Sequence, residues 1–254
     1  MKDFTFKIYT ELLETFLKSG YVFYTFESFI ENNIQNGTNE RVIVLRHDVD
    51  RKPEKSLQTA LIEHDLSIRA SYYFRIVKAS NKPEIIKKIE GFGHEIGYHY
   101  EDLAMAKGDY DKAIASFERN LEYFRKFYPV RTMCMHGSPM SKWDNRKLWA
   151  KHDYKKYVII AEPYFDLDFN KVFYITDASR TWNNTEVTRR DKVKTNFNFG
   201  INSIFDIMEL LKENKLPSKI LLNIHPQNWT DNKMEWYKIL LWQSIKNLIK
   251  KNLK

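Results

Sequence analysis

Of the seven histidines in this chain, His47, His99, His136 and His225 fall at or beside the C-terminal ends of short apolar runs of strand type. In α/β folds that end of the strands is the rim on which sites are built. The first run leads into Val44-Leu45-Arg46-His47-Asp48-Val49-Asp50. Residues two apart on a strand share a face, so Arg46, Asp48 and Asp50 point one way and His47 the other. Two carboxylates that close repel each other unless a cation or a shared proton relieves them, and a metal ion is the natural relief. The same parity separates His94 from His99 in Gly93-His94-Glu95-Ile96-Gly97-Tyr98-His99. His99, nearer the rim, is the better ligand, and His94 is expected to pack on the opposite face. With a single cysteine, Cys134, neither a disulfide framework nor a Cys-rich zinc site is available, which leaves imidazole and carboxylate to hold a metal.

Positioning these residues requires elements of two kinds. Seven strands are predicted, at Val42–Arg46, Tyr72–Val77, Glu95–His99, Thr132–His136, Tyr157–Ala161, Val172–Asp177 and Ile220–His225. Helical signals lie between several of them. Pro83 follows Asn81 at a helix start, Ile85, Ile86 and Ile89 share a face, and Gly91 marks the stop. Ile114, Phe117, Leu121 and Phe124 form a second stripe before Pro129, and Ile201, Ile204, Phe205, Met208 and Leu211 a third before Pro217. Strands alternating with helices imply right-handed βαβ units, hence an α/β fold with mainly parallel strands. The strand count favours a closed or nearly closed barrel, a distorted (β/α)7 type. Residues 1–40 read as an N-terminal helical segment, with Ile8, Leu12 and Phe16 on one stripe and Thr25 capping a second helix, and 41–254 as the barrel, all one domain. No Walker loop or Gly-x-Gly-x-x-Gly fingerprint is present, so a nucleotide cofactor is not expected.

Arg46-His47-Asp48-Val49-Asp50, then Gly93 to His99, then Leu221-Leu222-Asn223-Ile224-His225-Pro226 resemble, in order and over about 180 residues, successive motifs of the polysaccharide deacetylase family, the NodB-homology fold. The resemblance implies a divalent metal, most often zinc, and hydrolysis of an acetyl group on a sugar. It assigns Asp48 as general base, Asp50 and His99 as metal ligands and His225 as the acid. The chain departs from the family where a second metal-binding histidine would stand four residues after His99, because that residue is Leu103. Replacement ligands at hand are His136, which shares the inward parity of Thr132 and Cys134, or Glu101 and Asp102, and a two-ligand or metal-free site stays open as well. Among neighbours of the rim, Arg46 and Arg180 are candidate contacts for a phosphate or carboxylate, Asp177 for orienting a catalytic group or touching substrate, and Trp182 for stacking on a sugar face. Ser138 to Arg146 is a loop that could close over substrate.

Composition bounds the partners. In 254 residues, 43% hydrophobic content is too apolar for a disordered tail, and 41 Lys plus Arg against 33 Asp plus Glu give a net charge of +8. That excess is spread over most of the chain, which favours a solvated basic surface, and the Lys246–Lys254 run is a candidate contact for an anionic membrane face. Met1 to Phe16 carry Asp3, Lys7, Glu11 and Glu14, and no window approaches the ~18 apolar residues of a membrane span. The expectation is a cytoplasmic enzyme acting on a sugar or activated-sugar precursor of surface polysaccharide, without specific nucleic-acid binding. A glycosyltransferase using Asp48-Val49-Asp50 to hold a metal-bound nucleotide sugar is the rival enzyme class. A non-catalytic carbohydrate-binding relative is the other alternative.

Overall fold

The computed structural model describes residues 2–183 and 190–252, with side chains of the last helix up to Ile249. Residues 253 and 254 of the basic run expected at Lys246–Lys254 lie outside them. Seven strands are present among the described residues: β1 Val22–Tyr24, β2 Val42–Val49, β3 Ser71–Phe74, β4 Glu95–Tyr100, β5 Met133–Met135, β6 Phe173–Thr176 and β7 Lys219–Ile224. The α-helices are α1 Phe6–Lys18, α2 Phe26–Glu31, α3 Ile34–Gly37, α4 Pro53–Asp65, α5 Pro83–Gly91, α6 Asp102–Met105, α7 Tyr110–Phe124, α8 Pro163–Asp166, α9 Ile204–Lys212 and α10 Lys233–Asn252.

Every ladder is parallel, in the order β5-β4-β3-β2-β7-β6, and the sheet curls into a half-barrel with helices around it. The eight-residue β2 organises it. Its first half pairs with β1 (Val22↔Val42 to Tyr24↔Val44) and its second half with β3 (Arg46↔Ser71 to Val49↔Phe74), so β1 and β3 share one edge of β2. The N-terminal segment is therefore not helical throughout, because Val22–Tyr24 joins the sheet. Tyr157–Ala161, expected as a strand, is not one. Tyr154–Tyr157 forms a 3-10 turn and Val158 takes a left-handed φ of 59°, which breaks the extended run. Only a bridge between Thr132 and Ala161 survives, and no ladder closes β5 onto β6 among the described residues.

The period of two along β2 sorts two apolar layers. Val42 and Val44 lie inside the curl with Tyr73, Cys134, Tyr174 and Leu221, while Ile43, Leu45 and Val49 lie outside with Tyr9, Leu12 and Phe16 of α1. Burying each such side chain contributes about 1.5–3 kcal/mol. The helices begin where the sequence provides caps: the Thr25 side chain accepts from Ser28 N at α2, Pro83 opens α5, and Ser203 and Asp206 form a capping box at α9. Gly97 is required on β4 because a Cβ there would collide with the ring of Tyr73, its register partner on β3. Among the described residues, no helix is long and apolar enough to cross a membrane.

Candidate active site

The inward residues of β2 end in a chain of carboxylates. Asp48, 3% exposed, and Asp50, just beyond the strand, sit on the inner side of the rim, and His47 faces outward onto Glu63 (2.8 Å) and stacks on Tyr72. His94 is likewise on the outer side, bonded to Ala60 O and Ala70 N. The ends of β4 and β5 bring His99 and His136 to Asp50. Nε2 of each lies 3.5 Å from the same Asp50 Oδ1, the two rings are 5.2 Å apart, and the three candidate ligand atoms lie within 4.8 Å of one another.

The far nitrogen of each ring is already engaged. His99 Nδ1 is 3.0 Å from Cys134 O and His136 Nδ1 is 2.9 Å from Glu101 Oε2, so each Nδ1–H donates outward and each Nε2 faces Asp50. Glu101 is itself gripped by Arg75, Nε to Oε1 and Nη2 to Oε2, both 2.7 Å, and His136 with Arg75 brings its carboxyl down to about 2 against the upward push of burial. Burial would likewise raise Asp50, but the His99 and His136 imidazoles, with His225, hold it far below the ordinary range. Asp50 Oδ1 is buried with no hydrogen-bond partner among the described residues. A carboxylate oxygen facing the Nε2 atoms of two imidazoles is a donor set that fits zinc. Asp102, the other replacement ligand considered, is bonded to Tyr98, Ser116 and Asn120 instead. A second grouping of Asp48, His99 and Cys134 is poorer, since burial pushes the Cys134 thiol well up and keeps it protonated.

Across the mouth, His225 follows β7. Its Nδ1 and its backbone N–H both contact Asp177 Oδ1, at 2.7 and 2.8 Å, and its Nε2 points at Asp48 Oδ2, 3.9 Å away. Asp177 is wholly buried, its Oδ2 accepting from Trp229 Nε1 at 2.7 Å. Burial alone would lower the imidazole's pKa, but the bond to Asp177 and the charges of Asp50 and Asp48 raise it to about 10. Asp48 is held ionised in spite of its burial, chiefly by Arg46 with help from His99 and His225. Arg46 Nη2 (2.8 Å) and Asn223 Nδ2 (3.1 Å) both occupy Asp48 Oδ2, which leaves Oδ1 buried and without a partner among the described residues.

Three of the residues expected at substrate lie elsewhere. Arg46 is fully buried beneath Asp48, its guanidinium between the hydroxyls of Tyr164 and Tyr174, and serves as the counter-ion of that carboxylate. Arg180 is sandwiched between Phe4 and Trp236, and Trp182 is 3% exposed, stacked on Phe4 with its indole N–H on Asp3. Both are packing residues, because the turn after β6 folds back onto the N-terminal segment. Asp177, the fourth, has no exposed surface and touches His225 rather than solvent. The Ser138 loop is tied down at its start, where Ser138 Oγ contacts His136 and Asn145 bonds His136 O. Residues passed over by the sequence reading are Asn223, Arg75 and Gln227, whose Nε2 donates to Asp50 Oδ2 at 2.9 Å. For Asn223 a signal existed: it shares the inward parity of Leu221 and His225, and a lone amide inside an apolar strand needs a partner.

No protein-family model matches the sequence, and no curated protein matches it either. Among solved structures, the chain is similar to Streptococcus pyogenes deacetylase PplD in complex with acetate, with a TM-score of 0.47 and 16% identity over 59% of this chain and 70% of that one. At that TM-score the likeness is too loose to carry a conclusion about chemistry.

Proposed function

We propose that the chain is a metal-dependent hydrolase that removes an acetyl group from a sugar or sugar precursor, in the manner implied by its resemblance to the polysaccharide deacetylases, with a role in surface-polysaccharide synthesis. The observation that supports it is the meeting of Asp50, His99 and His136 beside a buried, ionised Asp48 and a His225 anchored on Asp177. Leu103, where the family's other histidine would stand, is buried in the outer apolar layer, and His136 reaches Asp50 in its stead.

Asp50, His99 and His136 would hold a divalent ion, zinc by its donor set, which when bound supplies Lewis acidity and lowers the pKa of water. The rest is the work of this chain's own groups. Arg46 and Asn223 pin Asp48 through Oδ2, so the unpartnered Oδ1 is the atom that takes a proton as water adds to the acyl carbon. His225, charged because Asp177 backs it, presents Nε2–H on the same side and donates to the departing amine or alkoxide. Arg46 keeps Asp48 ionised, so a proton gained there leaves readily between turnovers.

Acetate release from acetylated sugars, measured on protein reconstituted with zinc, tests this reading. Asp48→Asn is expected to lower kcat by roughly 10²–10⁴-fold with zinc content unchanged. Wild-type rates in Asp48→Asn, or failure of the wild type to bind a stoichiometric divalent ion under any supplementation, would overturn it.

A further inference from the structure

We propose that α10 is an interfacial element that docks the mouth of the barrel onto an anionic lipid bilayer. Apolar residues stand on both sides of this helix. The side against the body carries Ile239 and Gln243, each 8% exposed, together with Trp236, whose indole N–H donates to Asp3 O, and Asn247, whose amide donates to Ser179 O at 3.1 Å. The opposite side carries Met234, Leu241, Trp242, Ile245, Leu248 and Ile249, each between 50% and 71% exposed. From Leu241 on they recur every three or four residues, with Met234 two turns earlier on the same side, and so form one stripe along the helix. A continuous apolar stripe in solvent marks an interaction face.

The charge around the stripe selects the occupant. Lys233, Lys238 and Lys246 stand among and beside the apolar residues. Glu235, the single carboxylate on the helix, is bound to Lys52 and Lys55 at 3.0 and 2.7 Å and offers nothing outward. A second copy of the chain would bring the same positive rim, whereas a bilayer with anionic head groups offers an apolar layer beneath a negative surface.

The stripe borders a cavity that adjoins the candidate site through Gln227. This cavity, of about 670 Å³, opens between the start of α10 and the segment after Asp50, lined among others by Arg51, Lys52, Gln227, Lys238 and Trp242. Gln227 donates to Asp50 Oδ2, so the inner wall of this cavity touches the candidate metal centre. With α10 at head-group level, this cavity would receive an acetylated sugar carried on a lipid phosphate, the phosphate beside Arg51 and Lys238 and Gln227 between the cavity and Asp50. That role of the cavity rests on the hydrolase reading, whereas docking itself does not.

Sedimentation of the full chain with vesicles of phosphatidylcholine alone, or of phosphatidylcholine mixed with phosphatidylglycerol, tests the docking. The wild type is expected to pellet with the mixed vesicles only. Leu241→Asp combined with Ile245→Asp, both exposed and outside the cavity, is expected to weaken that binding about tenfold or more, with circular dichroism and acetate release from a soluble sugar unchanged. Absence of wild-type binding to mixed vesicles, or equal binding by the double variant, overturns the proposal. So does light scattering that shows a dimer which the double variant dissociates, since the stripe would then be a self-interface. Vesicle binding by a chain that releases no acetate from any sugar would refute the hydrolase reading and leave the docking standing.

Discussion

Replacing Glu101 by glutamine separates two roles that a carboxylate beside His136 can have. In the structure Glu101 lies behind the imidazole, Oε2 at 2.9 Å from Nδ1, while Nε2 faces Asp50 on the other side. Glutamine keeps the shape but removes the charge that makes His136 a stronger donor, and it leaves Arg75 facing a neutral acceptor. Outer partners of metal-binding imidazoles contribute about 10–100-fold in metal affinity, which is about 1.4–2.7 kcal/mol. Loss of a direct ligand would do far more. Arg75, with 19% of its side chain exposed, can rehydrate, so the melting temperature should move by only about 2–4 °C. The assay is zinc affinity by competition with a chromogenic chelator, run beside acetate release with zinc in excess. Affinity is expected to fall by about 10–100-fold, with most of the activity recovered when zinc saturates. An affinity within about twofold of wild type would refute the support role, because a carboxylate that polarises a ligand cannot be removed silently. Abolition of stoichiometric binding would make Glu101 itself the ligand.

The rim and the sheet make further predictions. Asp177→Asn removes the charge that raises His225 to about 10, so the imidazolium loses its proton at lower pH and the basic limb of the kcat/KM profile should move acidward by about one unit or more. A limb that stays in place would show that His225 is not the acid. Gly97→Ala forces a methyl group into the ring of Tyr73, and overpacking of this kind destabilises by about 1–3 kcal/mol. Urea denaturation should register that loss, and a midpoint equal to wild type would show that Tyr73 can rotate away.

The sequence showed most where a residue type is demanded by local physics. Thr25 and Pro83 announce their helices because caps and N-terminal prolines satisfy or remove orphan backbone groups, and both helices form there. Strand parity put Arg46, Asp48 and Asp50 on one side and His47 on the other, and they lie so. What the sequence hid is what depends on distant partners. β1 is three residues long and exists because it fills the edge of β2 below β3. α4 escaped notice because it buries Ser56, Thr59 and Glu63 rather than an apolar stripe. Tyr157–Ala161 is apolar enough for a strand, yet a single left-handed residue ends it. Arg180 and Trp182 sit in a run that reads as a rim loop, and nothing local reveals that Phe4 and Asp3 wait for them.

β2 carries polar groups on both faces. Inward, Arg46 pairs with Asp48, which also accepts from Asn223, and outward, His47 meets a Glu63 that also binds the hydroxyls of Tyr9 and Tyr72. Sliding this strand by a single position would drive Asp48 against Glu63 and strand the imidazole of His47 in the interior. The two layers thus act as a ratchet that admits one alignment, and errors of threading during folding are rejected by charge at the very residues whose placement matters most.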